Sequence, residues 1–271
     1  MIPRPISYGP PGKASRLSPA AALVRRNDPD RFLTALFAPP ERRETLFVLY
    51  AFNHELARAR AVVSEPMLAL IRLQWWREII EGARRRHEIA GPLGAALDEG
   101  TLDRGDLAAM VDAREAETER IPTLAAWRAY LDGAAGSLAV AAGRLLDAPD
   151  PETLRGAGAA YGAAQVLRSA PTLASRQRSL LPADVLARHG LTMDAAIAAP
   201  IAPPALAAMA ELADEARSWL PPEDAPRLPR RARAADLATV LARRDLRRPP
   251  PMLPERGLAD RLAVVKAGLL R

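Results

Sequence analysis

Apolar residues recur at three- and four-residue spacing along most of the chain, and no segment alternates apolar and polar positions for long. That period is helical, so an all-α protein is expected. Ser18 can cap a first helix to Arg26, with Pro19 at its first position. A turn, a short helix and a Pro39-Pro40 stop follow. Pro40 opens a helix expected from Glu41 to Val63, with Leu46, Leu49, Tyr50, Asn53 and Leu56 on one face. After Ser64-Glu65-Pro66 a long helix is expected from Met67 to Glu88, and Gly91-Pro92 interrupts it. A polar helix over Arg104–Glu119 follows, and its acids from Asp112 to Glu119 read as surface. Pro122 starts a helix through Trp127 and Tyr130 to Leu146, which Pro149 and Pro151 end. Glu152–Arg168 reads as a small-residue helix that Pro171 stops. A loop and two or three proline-broken helices lead to an apolar helix over Leu258–Leu270. The pattern predicts one domain over residues 18–271, behind a disordered leader, residues 1–17, rich in Pro and Gly.

Composition narrows the chemistry. The 271 residues suffice for one large domain. Hydrophobic residues make up 49% and aromatics only 4%, so the apolar mass is mostly the helix formers Ala and Leu. The absence of cysteine excludes disulfides, zinc ribbons and thiol catalysis. The formal net charge of +6 is carried by arginine, the only lysines being Lys13 and Lys266. A basic surface suits anionic partners, although an arginine-over-lysine bias is equally what genome composition would produce. No run approaches the roughly 18–20 apolar residues of a membrane span, and the N-terminus lacks the apolar segment of a secretory signal. The chain is expected to be cytoplasmic, with peripheral contact on the inner face of the membrane left open. Arg227–Arg248 is the strongest charge feature. It suits an anionic membrane surface or an acidic partner, or else a solvated helix with Asp236 and Asp245 pairing locally. Nucleic acid is not expected, because no recognition motif or aromatic interleaving accompanies the charge.

Five segments in register resemble the squalene/phytoene synthase family. They are Phe32–Phe52, the WWRE of Trp75–Glu78, the AGSL of Ala135–Leu138, the small-residue helix Gly158–Arg168, and Ser179–Leu191. The resemblance implies the all-α isoprenoid synthase (terpenoid synthase) fold, a helical bundle around a central cavity. In active members two aspartate-rich segments face each other there and hold magnesium, which binds the diphosphates of two prenyl substrates. Hard cations with oxygen ligands neutralise the departing diphosphate as an allylic carbocation forms.

The family's first segment runs Tyr-Ala-Phe-Cys-Arg, two residues, Asp-Asp, two residues, Asp. Here Tyr50, Ala51 and Phe52 match, Asn53 and His54 replace Cys and Arg, and Ala57, Arg58 and Ala61 stand at the acids. In the second segment Gly158, Ala160, Leu167 and Arg168 match. Gly162 and Gln165 replace Gln and Asn, Ser169 replaces the first Asp, and Thr172 and Leu173 replace the final Glu-Asp pair. A guanidinium about 4 Å from a divalent ion is repelled by roughly 8 kcal/mol at an effective dielectric near 20. No metal ligands are therefore expected in the degenerate motifs, and Arg58 is expected to pair with Glu55 instead.

A divergent branch of the family, which includes a mitochondrial complex I assembly factor and alphaproteobacterial relatives, keeps the VSEP and IRLQWWR segments and lacks the aspartates. The pattern here resembles that branch. This implies a non-catalytic protein in respiratory complex I assembly, whose partner would be a respiratory-complex subunit or another assembly protein. Two alternatives stay open. One is an active head-to-head prenyltransferase of isoprenoid biosynthesis, acting on farnesyl or geranylgeranyl diphosphate with Mg2+ as its cofactor. The other is a carrier for a prenyl lipid in the cavity. No cofactor is expected outside the prenyltransferase case. Tyr50, Trp76, Arg168 and Arg178 are the candidate contacts to the cavity or to an anion. Each has a plain reading beside it: Trp76 as core packing, Arg168 as a helix C-cap, Arg178 as part of a solvated basic loop. Arg77 is expected in an ion pair, and Gly158 and Gly162 as close-packing positions.

Overall fold

The computed structural model describes residues 17–63, 65–248, 250–251 and 256–269. The expected leader therefore lies outside the described residues except for Leu17, as do Ser64 and much of the proline-rich stretch before the last helix. Fourteen α-helices and no strand occur among the described residues. The first half holds α1 (Pro19–Asn27), α2 (Pro29–Ala35), α3 (Pro40–Ala61), α4 (Pro66–Ile80), α5 (Ala90–Asp98), α6 (Arg104–Ala113), α7 (Leu124–Leu131) and α8 (Ser137–Leu145). The second half holds α9 (Arg155–Ala174), α10 (Ala183–Arg188), α11 (Met193–Ala198), α12 (Pro203–Arg217), α13 (Leu237–Leu246) and α14 (Leu258–Leu269).

Local chemistry explains the helix starts. Ser18 Oγ accepts from Ala21 N at 3.0 Å to cap α1, and Asp28 accepts from Arg31 N at 3.0 Å to cap α2. Proline occupies the first turn of α1, α2, α3 and α4, where its missing N–H costs nothing.

The structure departs from the periodic reading in five places. Helix α3 does not bury a single stripe: every residue from Leu46 to Asn53 is buried. It is packed by α1, α2, α4, α5 and α8, so it is a central rather than a surface helix. Helix α4 ends at Ile80, eight residues before the expected Glu88, because Gly82 adopts φ +115° and Ala83 N donates back to Glu78 O at 2.7 Å. Gly91 and Pro92 lie inside α5, near its start, rather than between helices. The polar helix stops at Ala113, and a 3₁₀ turn over Arg114–Thr118 swings Glu117 inward, where it is buried. Asp112, Glu115 and Glu119 do stay exposed, but Glu117 does not. Pro171 does not stop α9, which runs on to Ala174, because a proline in the last turn removes only one hydrogen bond.

Helix α9 crosses the middle of the molecule. It packs on a single π-helical turn over Asp132–Gly136, on α8, and on α12 and α13. Gly158 permits the approach, since a Cβ there would lie 2.6 Å from both Ala135 O and the Ala139 Cβ. One apolar cluster gathers around α3 and a second around α7, α9 and α12. The space between α3 and α9 is not filled.

Candidate functional site

Between α3 and α9 lies a cavity of about 720 Å³. Asn53, His54, Ala57 and Ala61 line it from α3, and Gly162, Gln165, Ser169 and Leu173 from α9. Both sets recur at three- and four-residue steps, so each is one helical face. The residues at the two family-motif positions thus face each other across one space. Arg58 and Thr172 are exceptions. Arg58 is exposed and pairs with Glu55 at 2.9 Å, and Thr172 is exposed on the far side of α9.

Trp76 is not on the cavity lining. It is buried against Phe52, Trp75 and His87, with ring centroids 5.2, 4.8 and 5.4 Å away. Position 76 falls on the face of α4 turned to the core, so the indole serves as a packing anchor. Tyr50 also lies off the main cavity. It borders a narrow crevice with Arg31 and Tyr161, and burial pushes its phenol up to about 12, partly opposed by Arg31. Arg168 and Arg178 both line the cavity. Arg168 is no C-cap: it is buried one and a half turns before the helix end, and its Nη1 donates to Asp245 Oδ1 at 3.3 Å. Arg77 forms its expected ion pairs, to Asp112 at 2.7 Å and Glu115 at 2.6 Å.

Much of the polar lining was not singled out by sequence reasoning. At one end Arg114 Nη1 meets Glu117 Oε1 at 2.5 Å, Arg114 Nη2 donates to Asn53 Oδ1 at 3.0 Å, and Tyr130 Oη donates to Glu117 Oε1 at 2.8 Å. Burial and the Glu117 charge push the Tyr130 phenol far up, so it stays a donor. Arg178 approaches Glu117 Oε2 at 3.7 Å. Burial lowers the pKa of that guanidinium, Glu117 opposes the shift and Arg60 adds to it. At the other end Arg256 bridges Asp30 at 2.8 Å and Asp245 at 2.5 Å, and Tyr161 Oη donates to Asp30 at 3.1 Å. Arg31 pairs with Asp28 at 3.0 Å and stacks over Tyr161, 4.8 Å from its ring centroid. The signal that could have found these groups was weak: Arg114 and Glu117 share the i, i+3 spacing of any surface pair. Arg256 reaches its partners only through the tertiary fold.

The carboxylates on the lining are Asp28, Asp30 and Glu117. Each is held by arginine or tyrosine, and the α3 and α9 faces present amide, imidazole, hydroxyl and methyl groups. This donor set does not fit magnesium, which takes oxygen ligands, carboxylates above all. Among the described residues no group of three or more His, Asp or Glu side chains is placed to hold a metal ion. His54 is half-buried on the lining; burial lowers its pKa, opposed by Glu55, which favours the neutral ring.

Comparison with known proteins gives this geometry a context. A family profile described as squalene/phytoene synthase matches residues 24–248. The human and mouse proteins named NADH dehydrogenase (ubiquinone) complex I, assembly factor 6, are each 29% identical over 181 residues, covering 64% of this chain and 54% of theirs. The Drosophila melanogaster homolog is 27% identical over 187 residues, covering 64% of this chain and 56% of its own. The match thus spans about half the length of those relatives. Among solved structures, a dehydrosqualene synthase superposes with a TM-score of 0.69 at 15% identity, over 91% of this chain and 93% of that one. The squalene synthase HpnC from Alicyclobacillus acidocaldarius gives 0.63 at 17% identity, over 84% and 90%. These show the same all-α isoprenoid synthase fold. A profile that covers most of the sequence and a fold that agrees with it lead to one statement: the chain belongs to the squalene/phytoene synthase family.

Proposed function

We propose that this chain is a non-catalytic member of its family that supports the assembly of respiratory complex I, and that it works without a divalent metal. One observation carries the reading. The two helix faces that meet across the cavity present Asn53, His54, Ala57 and Ala61 against Gly162, Gln165, Ser169 and Leu173, with no carboxylate among them. Ionising a diphosphate leaves an allylic carbocation and a strongly charged leaving group, and catalysis needs cations aimed at that developing charge. The carboxylates that could hold such cations are tied up in arginine pairs. The names of the human, mouse and fly relatives supply the assembly role.

Contact with an anionic membrane surface accompanies the proposal. Among the described residues no helix is long and apolar enough to cross a membrane. Helix α14 nevertheless exposes Leu258 (74%), Leu262 (56%) and Leu269 (69%). Lys266 is exposed as well, Arg261 is exposed at the edge of the cavity, and the one acid of the helix, Asp260, is buried. Arg233 donates to Gly268 O at 3.2 Å, which brings the exposed Arg230 and Arg231 of the same basic segment towards the end of α14. Apolar side chains with a basic rim suit an interfacial helix.

Purified protein incubated with farnesyl or geranylgeranyl diphosphate, Mg2+ or Mn2+ and a nicotinamide reductant is expected to release no diphosphate. Release together with a squalene- or phytoene-type product would overturn the non-catalytic reading. Deletion of the gene is expected to lower assembled complex I and leave carotenoids and hopanoids unchanged; unaltered complex I would sink the assembly role.

A further inference from the structure

Helix α4 is apolar on two sides. One side packs inward through Ala69, Leu73, Trp76 and Ile79, all buried. A helix that packs by one face ordinarily turns polar groups to the other. The outer face of α4 instead opens with Met67 and Ile71, one turn apart and 62% and 58% exposed, with Leu68 beside them at 43%. Leu70, three residues from Met67 and one from Ile71, lines a groove of about 370 Å³ that lies outside the central cavity. Ala116, Ile121, Pro122 and Ala126 supply the rest of its apolar wall. Face and groove therefore form one apolar strip on the surface, a feature that marks an interaction site when it is rimmed by polar groups.

The rim is acidic. Glu115 and Glu119 both line the groove and both are exposed. Arg77 is shared between Asp112 at 2.7 Å and Glu115 at 2.6 Å, so one guanidinium stands against two carboxylates. Arg120, also on the lining, is drawn to Asp194 at 2.6 Å, and Glu119 has no ion pair among the described residues. Asp112, Glu115, Glu119 and Asp194 thus outnumber Arg77 and Arg120 by two, on a chain whose net charge is +6. Arg72 is exposed but lies two residues from Leu70, about 200° round the helix and away from the groove.

We propose that the outer face of α4 and the groove beside Leu70 form a docking site for an amphipathic helix of a partner protein, one that lays apolar residues at three- and four-residue spacing on Met67, Leu70 and Ile71 and sets Lys or Arg against Glu115 and Glu119. Helix-in-groove recognition uses that combination of apolar anchors and flanking charge. The acidic rim disfavours an anionic lipid surface. A two-fold contact with a second copy would place the same patch against itself, carboxylates facing carboxylates. The proposal rests on the assembly reading only in naming the kind of partner an assembly protein would hold.

The test is fluorescence anisotropy of the full chain with a labelled amphipathic peptide of leucine and lysine, beside a scrambled peptide of the same composition. A cationic peptide has no general attraction to a chain of net charge +6, so its binding reports the local rim. The amphipathic peptide is expected to bind at least about ten-fold more tightly than the scrambled one. Met67→Ser combined with Ile71→Ser is expected to weaken it about ten-fold, as loss of central anchors does. Glu119→Lys is expected to weaken it several-fold, and less so as salt is raised. All three positions are exposed, so the melting curves should match wild type. Equal binding of the scrambled peptide, or unchanged affinity in both variants, would overturn the site. So would a wild-type dimer in sedimentation equilibrium, or vesicle binding, that the Met67/Ile71 double variant abolishes; the first would give the face to a second copy and the other to a membrane. The complex I phenotype of a deletion is read separately, so the assembly role and this docking site can fail independently.

Discussion

At the residue scale the cavity is governed by how charges are shared. Asp245 is fully buried, and its Oδ1 receives Arg256 at 2.5 Å and Arg168 at 3.3 Å, with Arg248 at 3.6 Å. Each of those arginines comes from a different segment, so one carboxylate ties α9 and the approach to α14 to α13. Removing one partner of a buried pair leaves uncompensated charge, which costs about 3–5 kcal/mol. Asp245→Ala is expected to lower the unfolding free energy by about that much in urea denaturation. A loss below about 1 kcal/mol, the range of a surface pair, would mean that the network contributes little. The sequence shows Asp245 only as one acid within a basic segment, and a local pairing is what that context suggests. Arg248 is such a local partner, at 3.6 Å, but the closer Arg168 and Arg256 are distant in sequence or beyond a proline-rich break, so no spacing rule could supply those two.

At the element scale α14 is held by charge at one end and by shape at the other. Asp260 accepts from Arg244 at 2.7 Å and from Arg248 at 2.6 Å, while Gly268 lies so close to Phe37 that a Cβ there would come within 2.5 Å of the ring. Burial works to raise the Asp260 pKa, but the hydrogen bonds from Arg248 and Arg244 outweigh it and hold the carboxyl down to about 2. A carboxyl lowered on folding adds stability above its unfolded value of 3.8, and that stability disappears as pH falls towards 2. The stability gap between wild type and Asp260→Asn is therefore expected to be full near about pH 5 and to narrow steadily below about pH 4. A gap in chemical denaturation that stays constant over that range would refute the pairing. The helix itself was legible from its apolar period. What was not legible is which side faces inward: Leu258, Leu262 and Leu269 stay exposed while Asp260 and Val264 are buried, a choice made by the docking of Asp260 and Gly268.

At the scale of the whole molecule, positive groups among the described residues stand in two places: inside, where Arg31, Arg114, Arg168, Arg178 and Arg256 line the cavity, and outside, on and beside α14. The outer part leads to a further expectation. The protein should sediment with vesicles containing phosphatidylserine, less so as salt is raised, since each basic residue near such a surface contributes about 1 kcal/mol and is screened by ions. Leu258→Ser combined with Leu262→Ser is expected to reduce that binding by weakening the apolar contact. Wild-type protein that stays in the supernatant at low salt would remove the membrane from the account.

The sequence by itself determined the helical class, most helix starts and the identity of the residues at the two facing motifs. Those features depend on local chemistry: the 3.6-residue period, proline and capping side chains at N-termini, and a register that survives when individual ligands change. Only the tertiary structure decided that Trp76 is core, that Glu117 turns inward on a 3₁₀ turn, and that Arg178 is left with a single long partner. Burial and charge balance are properties of several segments at once. A short-range pattern can place an arginine on a helix face, but whether that arginine meets a carboxylate, solvent or an open cavity depends on what the rest of the chain brings to it.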